Sequence, residues 1–155
     1  IMIQRAVGAI IFQQDEVLLV QKVKRSESTS KLESFHPEWD FPKGGVKDGE
    51  PLHKAILREL FEETGSTAYE ILAELNDKIC FSFDAHFTTL TGYTEQVTTM
   101  FIVKYIGDRS DLKPLDKEIK AIQFVNKTHV LDFLIHEKTK RFYKDYFLYK
   151  ETRPH

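Results

Sequence analysis

Glu59, Glu62 and Glu63 lie in the run Arg58-Glu59-Leu60-Phe61-Glu62-Glu63-Thr64-Gly65, with another acid upstream at Glu50. Carboxylates gathered in this way suit a divalent cation and, through it, chemistry on phosphate groups. The pattern from Pro51 to Thr64 predicts the helix that would carry them. Pro51 suits a first helical position, and Gly65 suits the left-handed residue just past the end. Leu52, Ile56 and Leu60 continue one apolar stripe. At about 100° per residue, Glu59, Glu62 and Glu63 share one arc, on the side that Leu52, Ala55 and Ile56 occupy earlier in the helix.

Such a helix is unfavourable by itself. Glu59 and Glu63 are like charges at i,i+4, at a cost of about a few tenths of a kcal/mol. All three acids also lie near the negative end of the helix dipole, which adds roughly 0.3–1 kcal/mol for each charge nearest that end. A bound divalent cation reverses the sign of each effect. The competing reading is a solvated acidic face with Arg58 as its counter-ion.

Several elements must position this helix. Ala6 to Phe12 and Glu16 to Val23 read as an antiparallel hairpin broken at Gln13-Gln14-Asp15. Lys24 to Glu38, with its serines and mixed charge, reads as a long loop near the site. Trp39-Asp40-Phe41-Pro42-Lys43-Gly44-Gly45 is a short extended piece punctuated by Pro and Gly. Tyr69 to Leu75, Ile79 to Phe87, Gln96 to Ile106 and Ile119 to Val125 are strand candidates. The tail from Asn126 reads as one or two amphipathic helices. Cys80, in the apolar run Ile79-Cys80-Phe81, is expected to be buried.

The flanking residues decide between the two readings of the helix. Gly44, five residues, Glu50, seven residues, then Arg58, Glu59, Glu62, Glu63 and Gly65 form a framework that resembles the signature of the Nudix hydrolase family. The one departure is Ser66, where the family usually has an aliphatic residue; it is expected to weaken local packing. The resemblance implies an α/β fold, a Nudix-type α/β/α sandwich with a central mixed sheet, formed as a single domain over residues 1–155. It also implies Mg²⁺ as cofactor, with Mn²⁺ able to substitute. Glu59 and Glu63 would be the chief metal ligands, and Glu62 a third ligand or the base acting through water. Arg58 would orient the carboxylates, paired with Glu50, and the backbone near Lys43-Gly44 would offer a carbonyl.

Outside that framework the family often uses one more acid. Glu118, opening the strand that ends at Val125, is the first candidate, and Glu95 the second. Lys43, Gly44 and Gly45 are expected to face a polyphosphate. The segment from Trp39 to Gly45 is similar to that of diadenosine polyphosphate hydrolases and bacterial RNA 5′-pyrophosphohydrolases. Trp39, Phe83 and Tyr93 offer stacking surfaces for a base. Gln21, Lys22, Lys24 and Arg25 could reach extra phosphates, or simply form a solvated face. The expected reaction is hydrolysis of a phosphoanhydride in a nucleoside-diphosphate-linked substrate, either a dinucleoside polyphosphate or the 5′-triphosphate end of RNA. The alternatives are a nucleoside triphosphate pyrophosphatase and a nucleotide-sensing domain without catalysis.

Composition narrows the classes further. The 155 residues carry a net charge of -2, so no general affinity for nucleic acid is expected, and no separate DNA-binding domain is expected beside the one fold. A single cysteine excludes an internal disulfide, and none of the histidines shows zinc spacing. No apolar run approaches the ~20 residues of a membrane span. The beginning of the chain has no signal-peptide pattern, so a cytoplasmic setting is expected.

Overall fold

The computed structural model describes residues 2–25 and 35–152. The order of elements is β1 (Met2–Gln13), β2 (Glu16–Arg25), β3 (Phe35–Asp40), β4 (Lys43–Gly45), α1 (Leu52–Thr64), β5 (Tyr69–Ser82), α2 (Ala85–Thr91), β6 (Tyr93–Tyr105), β7 (Ile119–Asn126), α3 (Val130–Phe133) and α4 (Glu137–Thr152). The strands form one mixed sheet in the order β3-β2-β1-β6-β5, with β4 on β1 and β7 on β2. Among the described strand pairs only β1–β6 is parallel.

The hairpin of β1 and β2 is paired only beside its turn, at Phe12↔Val17 and Gln13↔Glu16. Beyond that point the two strands separate. β1 takes β4 and β6 as partners, while β2 takes β3 and β7. The sheet therefore opens where β4 crosses, and the site is built in that opening.

Alternation along the strands sends apolar side chains to both faces. Val7, Ala9, Leu18 and Val20 pack against Ala55, Ile56 and Leu60 of α1. Ile10, Val17 and Leu19 pack with Val130 of α3 and Tyr143 of α4 on the other side. The helix–sheet–helix sandwich follows from this double burial.

Four local expectations need correction. Strand β5 runs unbroken from Tyr69 to Ser82, across an irregularity between Glu74 and Lys78, instead of forming two strands. It also stops before Phe87, because Asp84 accepts a hydrogen bond from the Phe87 N–H at 2.8 Å and starts α2. Cys80 is exposed, because Ile79 and Phe81 on either side of it pack inward and alternation along β5 turns it to the opposite face. The expected loop is shorter at both ends, since β2 reaches Arg25 and β3 begins at Phe35; positions 26–34 lie outside the described residues.

Candidate active site

Helix α1 has the bounds its sequence dictates, apart from one residue. Pro51 is the extended N-cap, with Leu52 the first helical residue, and Gly65 closes the helix at φ 78° with its N–H on the Phe61 carbonyl. The last turn carries no basic residue. Its C-terminal carbonyls are satisfied from outside: Glu62 accepts from the N–H groups of Leu115 and Asp116 at 3.1 and 2.9 Å, and Thr64 from Lys113 at 2.8 Å.

The buried face of α1 includes Glu59, 9% exposed, and Glu63, 4% exposed, beside Ala55, Ile56 and Leu60. Gly44 lies directly over Glu59. A Cβ at that position would collide with all three atoms of the Glu59 carboxylate, so any other residue here must push that carboxylate aside. Burial pushes the Glu63 carboxyl up to about 7, with the Lys22 ammonium and the Lys43 N–H opposing it. Burial raises Glu59 too, against the pull of Arg58. Glu62 is different, with 44% of its side chain exposed.

Arg58 organises the cluster. Its Nε and Nη2 donate to the two oxygens of Glu50 at 2.7 and 2.9 Å, a bidentate pair, and Nη2 also reaches the Gly45 carbonyl at 2.8 Å. Nη1 donates to Glu59 at 2.8 Å and lies 3.4 Å from both Glu62 oxygens. The Arg58 guanidinium first, and then the Lys47 N–H that donates to Glu50 at 3.0 Å, hold the Glu50 carboxyl down at about 2.

The other cations come from β2 and β4. The Lys22 ammonium lies 3.2 Å from Glu63 Oε2 and donates to the Lys43 carbonyl at 3.3 Å. The Lys43 N–H donates to Glu63 Oε1 at 3.4 Å. The Lys43 ammonium folds inward to Asp40 at 3.3 Å and Thr139 at 3.1 Å, 5.7 Å from the centre of the Phe81 ring.

A cleft of about 360 Å³ adjoins this cluster, lined by Lys22, Lys43, Gly44 and Gly45 together with Phe81 and Phe83. His136 closes one side and bonds Glu38 at 3.0 Å. Sequence alone gave no role to His136, Asp40, Gln4 or Gln96: Asp40 lies within the Trp39–Gly45 segment without being singled out, and the other three lie in no local motif.

Other expected contacts lie elsewhere. Trp39 packs edge-on against Phe133 at 6.1 Å on the α3 and α4 face, away from the cleft, and Gln21, its partner across β2–β3, shares that face. Tyr93, at the start of β6, does not line the cleft. Alternation turns Glu95 away from the side on which Gln96 meets the cleft. The side chains of Lys24 and Arg25 lie outside the described residues. Glu118 is exposed; its carbonyl accepts the Val23 N–H at 2.9 Å, so its backbone runs beside Lys22.

The donor set fits a divalent cation. Two carboxylates are buried with too little positive charge, a carbonyl beside them already accepts from an ammonium, and Gly44 leaves the approach open. Among the described residues no three acidic, histidine or cysteine groups form a ready-made cage. Glu59 and Glu62 are drawn to Arg58, and Glu63 to Lys22.

Comparison with known proteins agrees with the geometry. An RNA pyrophosphohydrolase of Bartonella bacilliformis is 29% identical over 117 residues, covering 70% of this chain and 65% of that protein. One of Brucella ovis is 36% identical over 77 residues, covering 48% and 43%. The chain thus spans less than two thirds of these curated relatives. Among solved structures, a Caenorhabditis elegans Ap4A hydrolase superposes with a TM-score of 0.68 at 18% identity, over 97% of this chain and 99% of that one. A MutT protein of Methanosarcina mazei gives 0.69 at 22% identity, over 97% and 96%. At these identities the likeness is one of fold. The description that matches residues 2–146 is the NUDIX domain, and the chain belongs to the Nudix hydrolase family.

Proposed function

We propose that this chain is a divalent-metal-dependent pyrophosphohydrolase that cleaves a phosphoanhydride in a nucleoside-diphosphate-linked substrate. The 5′-triphosphate end of RNA is the favoured substrate, and a dinucleoside polyphosphate the next. The observation that carries this reading is the pair of buried carboxylates, Glu59 beneath Gly44 and Glu63 bonded to Lys22 and the Lys43 N–H, two residues that line the adjoining cleft. The names of the curated relatives support RNA as the substrate class.

On this reading Glu59, Glu63 and the Lys43 carbonyl would hold Mg²⁺, or Mn²⁺ in its place. When bound, the ion supplies positive charge against the polyphosphate and lowers the pKa of water. Glu62, the most exposed of the three acids, is a further ligand or the base that accepts the proton of the attacking water. Arg58, fixed by Glu50, keeps Glu59 and Glu62 aimed inward. Lys43 and the bare backbone of Gly44 and Gly45 present a floor that a phosphate chain can approach closely. Phe81 and Phe83 take the stacking role expected of Trp39, and Phe83 is held by Phe87 with ring centres 4.2 Å apart. Glu118 remains the outer acid of this proposal, from the end of the strand beside Lys22. A reducing, cytoplasmic setting suits a chain with one cysteine. No described helix is long and apolar enough to cross a membrane.

The test is a panel assay with Mg²⁺ across triphosphorylated RNA, dinucleoside polyphosphates, nucleoside triphosphates and nucleotide sugars. Hydrolysis is expected first with RNA. Turnover should fall by orders of magnitude in Glu59→Gln, Glu62→Gln and Glu63→Gln with the fold intact, and measurably in Glu118→Gln. Near-normal rates in all three of Glu59→Gln, Glu62→Gln and Glu63→Gln would sink the assignment. Silence across the panel would leave a nucleotide sensor.

A further inference from the structure

Lys22 stands where the proposed cation would be held. It leaves β2 on the side facing α1, and its ammonium bonds Glu63 Oε2 at 3.2 Å and the Lys43 carbonyl at 3.3 Å. These are two of the oxygens that the metal-dependent reading assigns to the divalent ion. The side chain is 17% exposed and lines the cleft, so a short swing would take its ammonium among Gly44 and Gly45. An ammonium and a doubly charged ion sharing the same two oxygens would repel strongly in this buried setting. Mg²⁺ also needs its ligands much closer, at about 2.1 Å, than an ammonium does.

We propose that Lys22 is a resident counter-ion: its ammonium occupies the Glu63–Lys43 carbonyl position in the metal-free protein, and a divalent cation binds only by displacing it into the cleft. The proposal rests on the metal-dependent reading above. Glu63 then has a cationic partner in both states and is never left buried with its charge uncompensated. The displaced ammonium is delivered to the wall along which a polyphosphate would lie. One positive charge passes from a protein carboxylate to the substrate's phosphate oxygens.

The decisive measurement is Mn²⁺ affinity without substrate, read from the electron paramagnetic resonance of free Mn²⁺, for the unaltered protein and for Lys22→Met. Methionine keeps the bulk and removes the competitor, so the variant should bind Mn²⁺ roughly tenfold more tightly. Equal or weaker binding would overturn the counter-ion role and leave the metal-dependent reading standing. No binding by either protein would overturn both. A second measurement covers misfolding of that variant. In ¹⁵N-lysine-labelled protein, the Lys22 ammonium resonance, assigned by its loss in Lys22→Arg, should be protected from solvent without metal and lose that protection at Mg²⁺ saturation. Protection that survives saturation would refute displacement.

Discussion

Glu63 and Asp111 are carboxylates serving the same stretch of chain, one on each side of Gly65, and their surroundings push them in opposite directions. Asp111 accepts hydrogen bonds from the hydroxyls of Ser66 and Tyr105, which hold its carboxyl below the usual range. Around it, the Ala68 N–H donates to Ser66 Oγ at 2.9 Å and the Arg109 N–H to Tyr105 Oη at 2.8 Å. Glu63 has a buried setting, one ammonium and one long bond from a backbone N–H, and its carboxyl rises to about 7. The first region is a satisfied polar network that locks the segment after β6 onto the end of α1. The second holds its carboxylates with fewer hydrogen bonds and deeper burial, which on the proposed reading suits it to a cation brought from outside.

The sharpest way to break this contrast is to deny the second region its approach. In Gly44→Ala the new Cβ must drive the Glu59 carboxylate from its place, whereas the Asp111 network is untouched. A displacement on that scale should lower kcat/KM by roughly 100-fold with a native circular dichroism spectrum. A variant that keeps full activity would show that the position of Glu59 beneath β4 is unimportant.

The contrast can then be sharpened by pH, with metal removed by a chelator. Glu63 titrates at about 7 in the folded chain and at an ordinary 4.5 when unfolded. Between those values the unfolded chain has released its proton and the folded chain still holds it, so stability falls as pH rises through that window. Above it the full cost persists. Glu63→Gln removes the cost. Metal-free Glu63→Gln should therefore be more stable than the unaltered protein at pH 8 by roughly 1–3 kcal/mol, with the difference vanishing below pH 4.5. Urea midpoints that differ by the same amount at both pH values would contradict this.

The sequence made some of this site legible and hid the rest, for a physical reason. Arg58 and Glu50 are eight residues apart on one helix and its entry turn, so their pairing follows from local geometry. Helix α1 and the Gly65 cap were equally local. The Lys43–Thr139 and Glu38–His136 bonds join residues 96 and 98 apart, and they exist only because of where the helices after β7 cross the sheet. Trp39 packs against Phe133, outside the lining of the cleft, and this was hidden for a related reason. Which face of β3 it takes depends on the register with β2, and periodicity in β3 alone could not reveal that. The outward turn of Cys80 likewise depends on which face of β5 takes Ile79 and Phe81 inward.

Ser66 gives the smallest expected effect and the cleanest separation of the two regions. As a departure from the aliphatic residue usual in the family, it was expected to weaken packing. Instead it is 1% exposed, with its hydroxyl donating to Asp111 and accepting from Ala68 N–H, so the polar side chain is fully used. Ser66→Ala removes both bonds and leaves the Ala68 N–H short of its partner. The expected cost is about 1–2 kcal/mol of unfolding free energy, read from urea denaturation. Activity per folded molecule should not change, because Asp111 and Tyr105 touch neither the Glu59–Glu63 pair nor the cleft. A loss of kcat/KM without loss of stability would mean that the two networks are coupled through Gly65, and that the network beyond Gly65 helps to position the last turn of α1.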